Sequence, residues 1–320
     1  MKPFDYAIAE NKQGALAALQ QGYRILAGGV DIADLQKERI ETSERYVSLK
    51  HLKELKQIEA DGTGITLGAR VTLAEIAASP LVQERFPALA HTASTTASSA
   101  VRARATLAGN ILQRPRCWYF RSDRFPCLKK GGQQCYAWAG ENTYHAIFPA
   151  GPCRITHPSS LAPLLVAAEA VMMAEDAAGE TTFKASDFFL NTDSSVQKEN
   201  RLKPEQLITR IEIKADVRQS GHEEIKERAL YDWPAASCAA VRHPEGWRVV
   251  LGHVAPLPWT AKAAESLLGH TEDIDETLAA RAADAAVSDA QPMSQNAYRV
   301  ALTRAAVRRA LLRACGKEPT

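Results

Sequence analysis

The sequence predicts a mixed α/β protein of two or three domains, and three observations carry that reading. At 320 residues the chain exceeds a typical single core. Residues Gly22 to Leu35 run as a short strand (Tyr23-Arg24-Ile25-Leu26), a tight turn (Ala27-Gly28-Gly29) and a helix that starts near Asp31. Leu207 to Lys214 alternates like a half-buried strand, whereas the end of the chain is helical, with Val300, Val307, Leu311 and Ala314 on one stripe. With 46% hydrophobic and 24% charged residues the composition is that of a soluble globular protein. A net charge of +2 predicts no strong attraction to nucleic acid or an anionic membrane.

In chain order, Met1-Lys2-Pro3-Phe4-Asp5-Tyr6 lacks a continuous apolar segment, so no signal peptide is expected. The Gly28-Gly29 turn allows two readings. Backbone N–H groups with a helix dipole behind them would suit an anion; a tight turn holding two elements together would need no ligand. The spacing is neither that of a dinucleotide fingerprint nor of a phosphate-binding loop with its lysine. Tyr46 to Leu49 and Ile65 to Ala69 read as strands, and Thr72 with Glu75 as a capping box that opens a helix. Phe86 to Ala100 suits a closely packed helix. Thr106-Leu107-Ala108-Gly109-Asn110-Ile111 repeats the first theme, small residues beside an amide side chain that can approach a ligand.

Arg102, Arg104, Arg114, Arg116, Arg121 and Arg124 surround this point. They read either as a solvated basic face or as compensation for buried negative charge, a pyrophosphate or a thiolate cluster. Ser160 to Ala174 reads as a buried helix; its apolar run from Leu161 is too short for a membrane span and carries Glu169. Thr181 to Phe189 reads as a strand leading into a short helix. Asp216 to Glu224 is a polar boundary, followed by strands at Ala236 to Arg242 and Trp247 to His253 and a helix from Thr260 to Leu268.

Between Thr106 and Ser160 the chain has little periodicity but many Gly, Pro and aromatic residues, and holds Cys117, Cys127, Cys135 and Cys153. An ordered loop of this length needs something to pin it. Six cysteines without a secretion signal favour thiols and metal ligands over disulfides. The spacing lacks the C-x2-C knuckle of common zinc and ferredoxin sites, so buried packing, zinc and iron–sulfur all remain open on spacing alone. Cys238 and Cys315 lie apart, in predicted regular elements.

Ala27-Gly28-Gly29-Val30-Asp31-Ile32 resembles the first flavin-binding loop of the FAD subunits of the xanthine oxidase and molybdenum hydroxylase family, and Thr106 to Ile111 resembles their second. His157-Pro158-Ser159-Ser160-Leu161-Ala162, Lys226-Glu227-Arg228 and Gly252-His253-Val254-Ala255-Pro256 follow in the family's order. The cysteine insertion is most similar to that of the FAD subunits of bacterial three-subunit aldehyde oxidoreductases, and is also similar to that of 4-hydroxybenzoyl-CoA reductase. The resemblance implies FAD held by Arg24, Ile25, Leu26, Ala27, Gly28, Gly29, Val30, Asp31, Ile32, Thr106, Gly109, Asn110, Ile111, Ser160 and Lys226. It implies a [4Fe-4S] cluster on Cys117, Cys127, Cys135 and Cys153. Ser160 stands where the family commonly has Asp, and Val30 where it has Thr or Ser.

By resemblance the fold is the two-subdomain FAD-binding fold, with residues 1–55 and 56–217 (iron–sulfur loop at about 113–156), followed by a C-terminal antiparallel sheet plus helices at 218–320. The implied partners are a molybdenum-cofactor catalytic subunit, a small subunit with two [2Fe-2S] clusters, and an external electron acceptor. In a 4-hydroxybenzoyl-CoA reductase-like complex that last partner would be a donor. No catalytic residue is expected on this chain, since substrate would react on the molybdenum subunit. The rival from another class is a zinc-stapled, flavin-free interaction subunit. The expected compartment is cytoplasmic, or periplasmic if a partner's signal exports the complex.

Overall fold

The computed structural model describes residues 2–149, 151–214, 216–228 and 231–318. Three sheets follow one another along the chain. The first is parallel, with β1 (Asp5–Ile8), β2 (Arg24–Leu26) and β3 (Arg45–Ser48) in the order β1-β3-β2. Parallel neighbours need crossovers, and the helices Lys12–Gln20 and Val30–Lys37 supply them. The former starts at Asn11, whose Oδ1 accepts the Gly14 N–H at 2.8 Å, and buries Ala15, Leu16 and Leu19 with Val47 and Leu49 of the β3 segment.

The second sheet is antiparallel: β4 (Ile58–Ala60), β5 (Ile65–Gly68), β6 (Val171–Asp176), β7 (Gly179–Lys184) and β8 (Leu207–Ile213), in the order β4-β5-β8-β6-β7. Its core joins Leu67, Ile211 and Met172 to Leu73, Ile76, Leu89 and Leu164 from the helices on its face. The capping box is present: Glu75 N–H donates to Thr72 Oγ1, and the Thr72 N–H to the Glu75 carboxylate. The expected helix from Ser160 to Ala174 is corrected. Helix occupies only Ala162–Ala167, the chain turns through Glu169 at φ 52°, and Val171–Asp176 is a strand between β7 and β8. A run apolar on every side suits a buried helix and a central strand equally, so pairing rather than periodicity decides it.

The third sheet holds β9 (Ser220–Ile225), β10 (Ala236–His243), β11 (Gly246–Gly252) and β12 (Trp259–Thr260), in the order β12-β11-β10-β9. The strand β9 thus lies inside the polar stretch read as a boundary. Alternation on β10 sends Ala236, Cys238 and Ala240 toward the C-terminal helices and Ala239 and Val241 toward the middle core. The helices Lys262–Leu268, Glu276–Ala286 and Tyr298–Ala314 cover the outer face. The second of these was not anticipated; its run of alanines packs closely but has little apolar contrast. Cys238 is buried in that core, and Cys315 is half-buried at the end of the last helix. Among the described residues no helix is long and apolar enough to cross a membrane.

Candidate functional site

A cleft of about 750 Å³ opens between the β2 turn, the helix Leu107–Ile111, the segment 197–208, Lys226 and the segment 231–234. Every residue implicated in cofactor binding lines it except two. Ile111 is fully buried in the middle core, and Leu26 belongs to β2, with its side chain under Gly29.

The first loop offers the cleft free donors. Gly29 caps the helix Val30–Lys37 from a left-handed backbone (φ 76°), which leaves no side-chain cap, and the N–H groups of Val30, Asp31 and Ile32 have no acceptor among the described residues. A helix start of this kind presents its N–H groups and dipole to an anion. Gly28 has another task. A Cβ placed on it would stand 2.0 Å from the Arg104 carbonyl, and the Arg104 guanidinium donates to the Gly28 carbonyl at 3.3 Å. Gly28 therefore lets the two loops touch each other.

The second loop differs from the sequence expectation. Its backbone is committed to the protein: the Leu107 and Ala108 N–H groups donate to Val71 and Ala69, and that of Gly109 to Thr106 Oγ1 at 3.1 Å. What remains for a ligand is side chain. Asn110 Oδ1 accepts from Ser159 Oγ at 2.6 Å, and neither its amide nitrogen nor Ser160 Oγ has a partner among the described residues. Lys226, on the opposite wall, is ion-paired with Glu224 at 2.7 Å.

The arginines answer to neither sequence reading. Asp31 accepts from the Arg114 N–H (2.8 Å), Arg121 Nη2 (2.8 Å) and Arg116 Nη1 (2.7 Å). Arg114 also pairs with Glu199 at 3.0 Å, and Arg116 lies over the Trp233 ring. Arg102 and Arg104 donate to backbone carbonyls. Much of the positive charge is thus balanced by carboxylates of the same chain, and both Asp31 and Glu199 stand in the cleft wall.

Those bonds tie the cleft to the loop behind it. Cys117, Cys127, Cys135 and Cys153 line one small cavity with Tyr119, Phe120, Lys129 and His145, and none forms a disulfide. Burial pushes the Cys117 thiol up to about 12, and its Sγ lies 3.2 Å from His145 Nε2. The Cys153 S–H donates to Cys135, holding the Cys135 thiol low with help from Arg154 and raising Cys153. Buried Lys129 pairs with Glu199 at 2.9 Å. Among the described residues, no three His, Cys, Asp or Glu side chains are gathered as the ligands of a single metal ion. Tyr119, Phe125 and Tyr136 pack ring against ring around the cavity.

Sequence reading missed Glu199, which holds Arg114 and Lys129 together, and the wall formed by Leu202, Ile208, Tyr231 and Trp233. The only local signal was two aromatics flanking Asp232.

Comparison with known proteins places the chain in a family. Residues 2–214 match the family described as the FAD binding domain in molybdopterin dehydrogenase, and residues 224–314 the CO dehydrogenase flavoprotein C-terminal domain. The chain is 30% identical to the aldehyde oxidoreductase FAD-binding subunit PaoB of Escherichia coli K12, over 95% of this chain and 96% of that one. It is 27% identical to the carbon monoxide dehydrogenase medium chain of Hydrogenophaga pseudoflava, over 96% of each. A solved structure of carbon monoxide dehydrogenase from the same organism, lacking the Mo-pyranopterin moiety, superposes with a TM-score of 0.75 at 25% identity over 98% of both chains.

Proposed function

The chain belongs to the FAD-binding subunits of the xanthine oxidase-type molybdenum hydroxylases, and from that premise we propose that it carries electrons between FAD in the cleft and a [4Fe-4S] cluster in the cysteine pocket. The complex it serves is aldehyde oxidoreductase-like, with a molybdenum-cofactor subunit and a small subunit holding two [2Fe-2S] clusters. The division into residues 1–55, 56–217 and 218–320 belongs to the same reading. One observation carries it: Asp31, in the cleft wall, is the acceptor for three arginines of the loop that gathers the four cysteines. Both sites are thereby built on one set of bonds.

The residues fit these groups. The free N–H groups of Val30, Asp31 and Ile32 suit a pyrophosphate, the unpartnered Asn110 amide and Ser160 hydroxyl suit hydrogen bonds to the rest of the cofactor, and Lys226 places a cation at the wall. When bound, FAD supplies the exchange between single electrons and electron pairs. Four thiols, with Lys129 and Arg154 beside two of them, are the donor set an iron–sulfur cluster uses. The exposed Trp138, Tyr144, Tyr231 and Trp233 suit burial against partner subunits.

Iron and acid-labile sulfide, measured per chain on anaerobically purified protein, test the cluster. Cys117→Ser, Cys127→Ser, Cys135→Ser and Cys153→Ser should each lose both, while Cys238→Ser retains them. Stoichiometric zinc without sulfide would overturn the proposal.

A further inference from the structure

Another set of buried polar groups lies where β9 and β10 face the middle core. His222 and Glu224 project from the same side of β9; Glu224 stands opposite Ser237 of β10, and Ser237 opposite Gly252, next to His253. Thr92 Oγ1 lies 2.9 Å from His222 Nδ1 and Ser237 Oγ lies 3.0 Å from His253 Nδ1. Thr92 donates its single proton to the Ala88 carbonyl at 2.8 Å, so His222 Nδ1 is the donor of its pair and Nε2 is left a bare acceptor.

His222 is 4% exposed and His253 is 3% exposed, and the Glu224 side chain is 6% exposed. Among the described residues, and apart from the Lys226 ion pair, neither the carboxylate nor the Nε2 atom of either histidine has a hydrogen-bond partner. His253 moreover holds a left-handed backbone, φ 65°, which side-chain-bearing residues adopt at a cost. Buried acceptors without donors are expensive, and what this arrangement lacks is a proton.

We propose that Glu224, His222 and His253 form a proton-accepting store which, through Lys226 at the cleft wall, couples reduction of FAD to uptake of a second proton. This rests on the reading that FAD lies in the cleft. For each pair of electrons given up by a reductant, one proton goes to the flavin. A second, from water, forms an N–H bond at His222 Nε2 or His253 Nε2, so that an imidazolium beside Glu224 balances the charge gained in the cleft.

Burial pushes both imidazoles down to about 4, so each is neutral at pH 7, and only negative charge arriving nearby would draw a proton onto one of them. Burial raises Glu224, but His222, His253 and Lys226 outweigh it and hold the carboxyl below the usual range. The other groups facing the store are His91 from the helix Pro87–Thr95, toward His222, and His157 and Arg299, toward His253.

The test is an anaerobic redox titration of the FAD-loaded protein with dithionite and mediators at about pH 7–8.5. Two protons per electron pair change the equilibrium 100-fold per pH unit, a slope of ~59 mV; one proton changes it tenfold, ~30 mV. The unmodified protein should follow the steep slope, and Glu224→Gln and the double variant His222→Asn with His253→Asn the shallow one with FAD retained. Asn tolerates the left-handed backbone of position 253, so the double variant decides the matter if the Glu224 variant fails to fold. A shallow slope in the unmodified protein, or the same slope in all three, overturns the store. Full FAD content in Asn110→Trp, which fills the cleft, would instead contradict the placement of FAD, independently of the slopes.

Discussion

Replacing Asp31 by Ala should release the cysteine loop from the cleft. The carboxylate is 16% exposed and accepts from Arg121, 9% exposed, from Arg116, 24% exposed, and from the Arg114 backbone. Hydrogen bonds to a charged group contribute about 1.5–3 kcal/mol each, and removing one partner of a buried pair costs about 3–5 kcal/mol. Partial exposure and solvent screening favour the lower end, so about 3 kcal/mol is expected. At 1.4 kcal/mol per factor of ten, that raises the open population of the loop about 100-fold. The opening is confined to the segment around Arg114–Arg124, because further along the loop Ile147 and Phe148 are packed in the C-terminal core and Asn296 donates to the His145 carbonyl. Trypsin reports it: Arg116, Arg121 and Arg124 offer cleavage sites, whereas Arg114 precedes Pro115 and does not, and cleavage tracks the open population when closing is fast. The variant should be cut within 116–124 about 100-fold faster, should lose FAD in parallel, and should leave the helix Tyr298–Ala314 intact. Asp31→Asn, which retains an acceptor without the charge, should fall between. If the cleavage rate stays within a few-fold of the unmodified protein, the loop is held by the Lys129–Glu199 pair and its aromatic packing, and the argument from Asp31 fails.

Gly28→Ala should lower FAD content while leaving iron unchanged, since its Cβ would meet the Arg104 carbonyl at 2.0 Å and force the two cleft loops apart; unaltered FAD binding would contradict this. Acid stability follows from four buried histidines, His157 held at about 3 and His145, His222 and His253 at about 4, all by burial. Near pH 5 the unfolded chain, whose histidines titrate near ~6.5, binds more protons than the folded one. Stability therefore rises with pH, is complete above ~6.5 and is lost as the pH falls toward ~4. The loss is at most ~1.4 kcal/mol per histidine per pH unit. Urea midpoints at pH 7 and pH 5 measure it, and equal midpoints would sink the reasoning.

What the sequence by itself determined about this protein is local. A strand, a Gly-Gly turn and a helix start at Arg24 to Ile32, the Thr72–Glu75 capping box and the alternation of β8 all arise among residues a few positions apart. Backbone sterics, capping and side-chain period act at that range. The ordered set of short resemblances added the family, and with it the two loops that face each other across the cleft. Tertiary structure alone decided the rest. Whether Val171–Asp176 continues a helix or becomes a strand depends on the neighbours β7 and β8. The six arginines read as a basic face or as charge compensation until Asp31 and Glu199, more than 80 positions away from Arg114 in opposite directions, were brought against it. Ile111, placed in the second loop by its neighbours, turned into the core because a short helix has an inner side. His253 stood in a segment of family resemblance and His222 and Glu224 in a polar stretch, but no local signal said that the three meet. Their chemistry exists only because β9, β10 and the end of β11 shut them away from water, where an unpaired acceptor becomes costly.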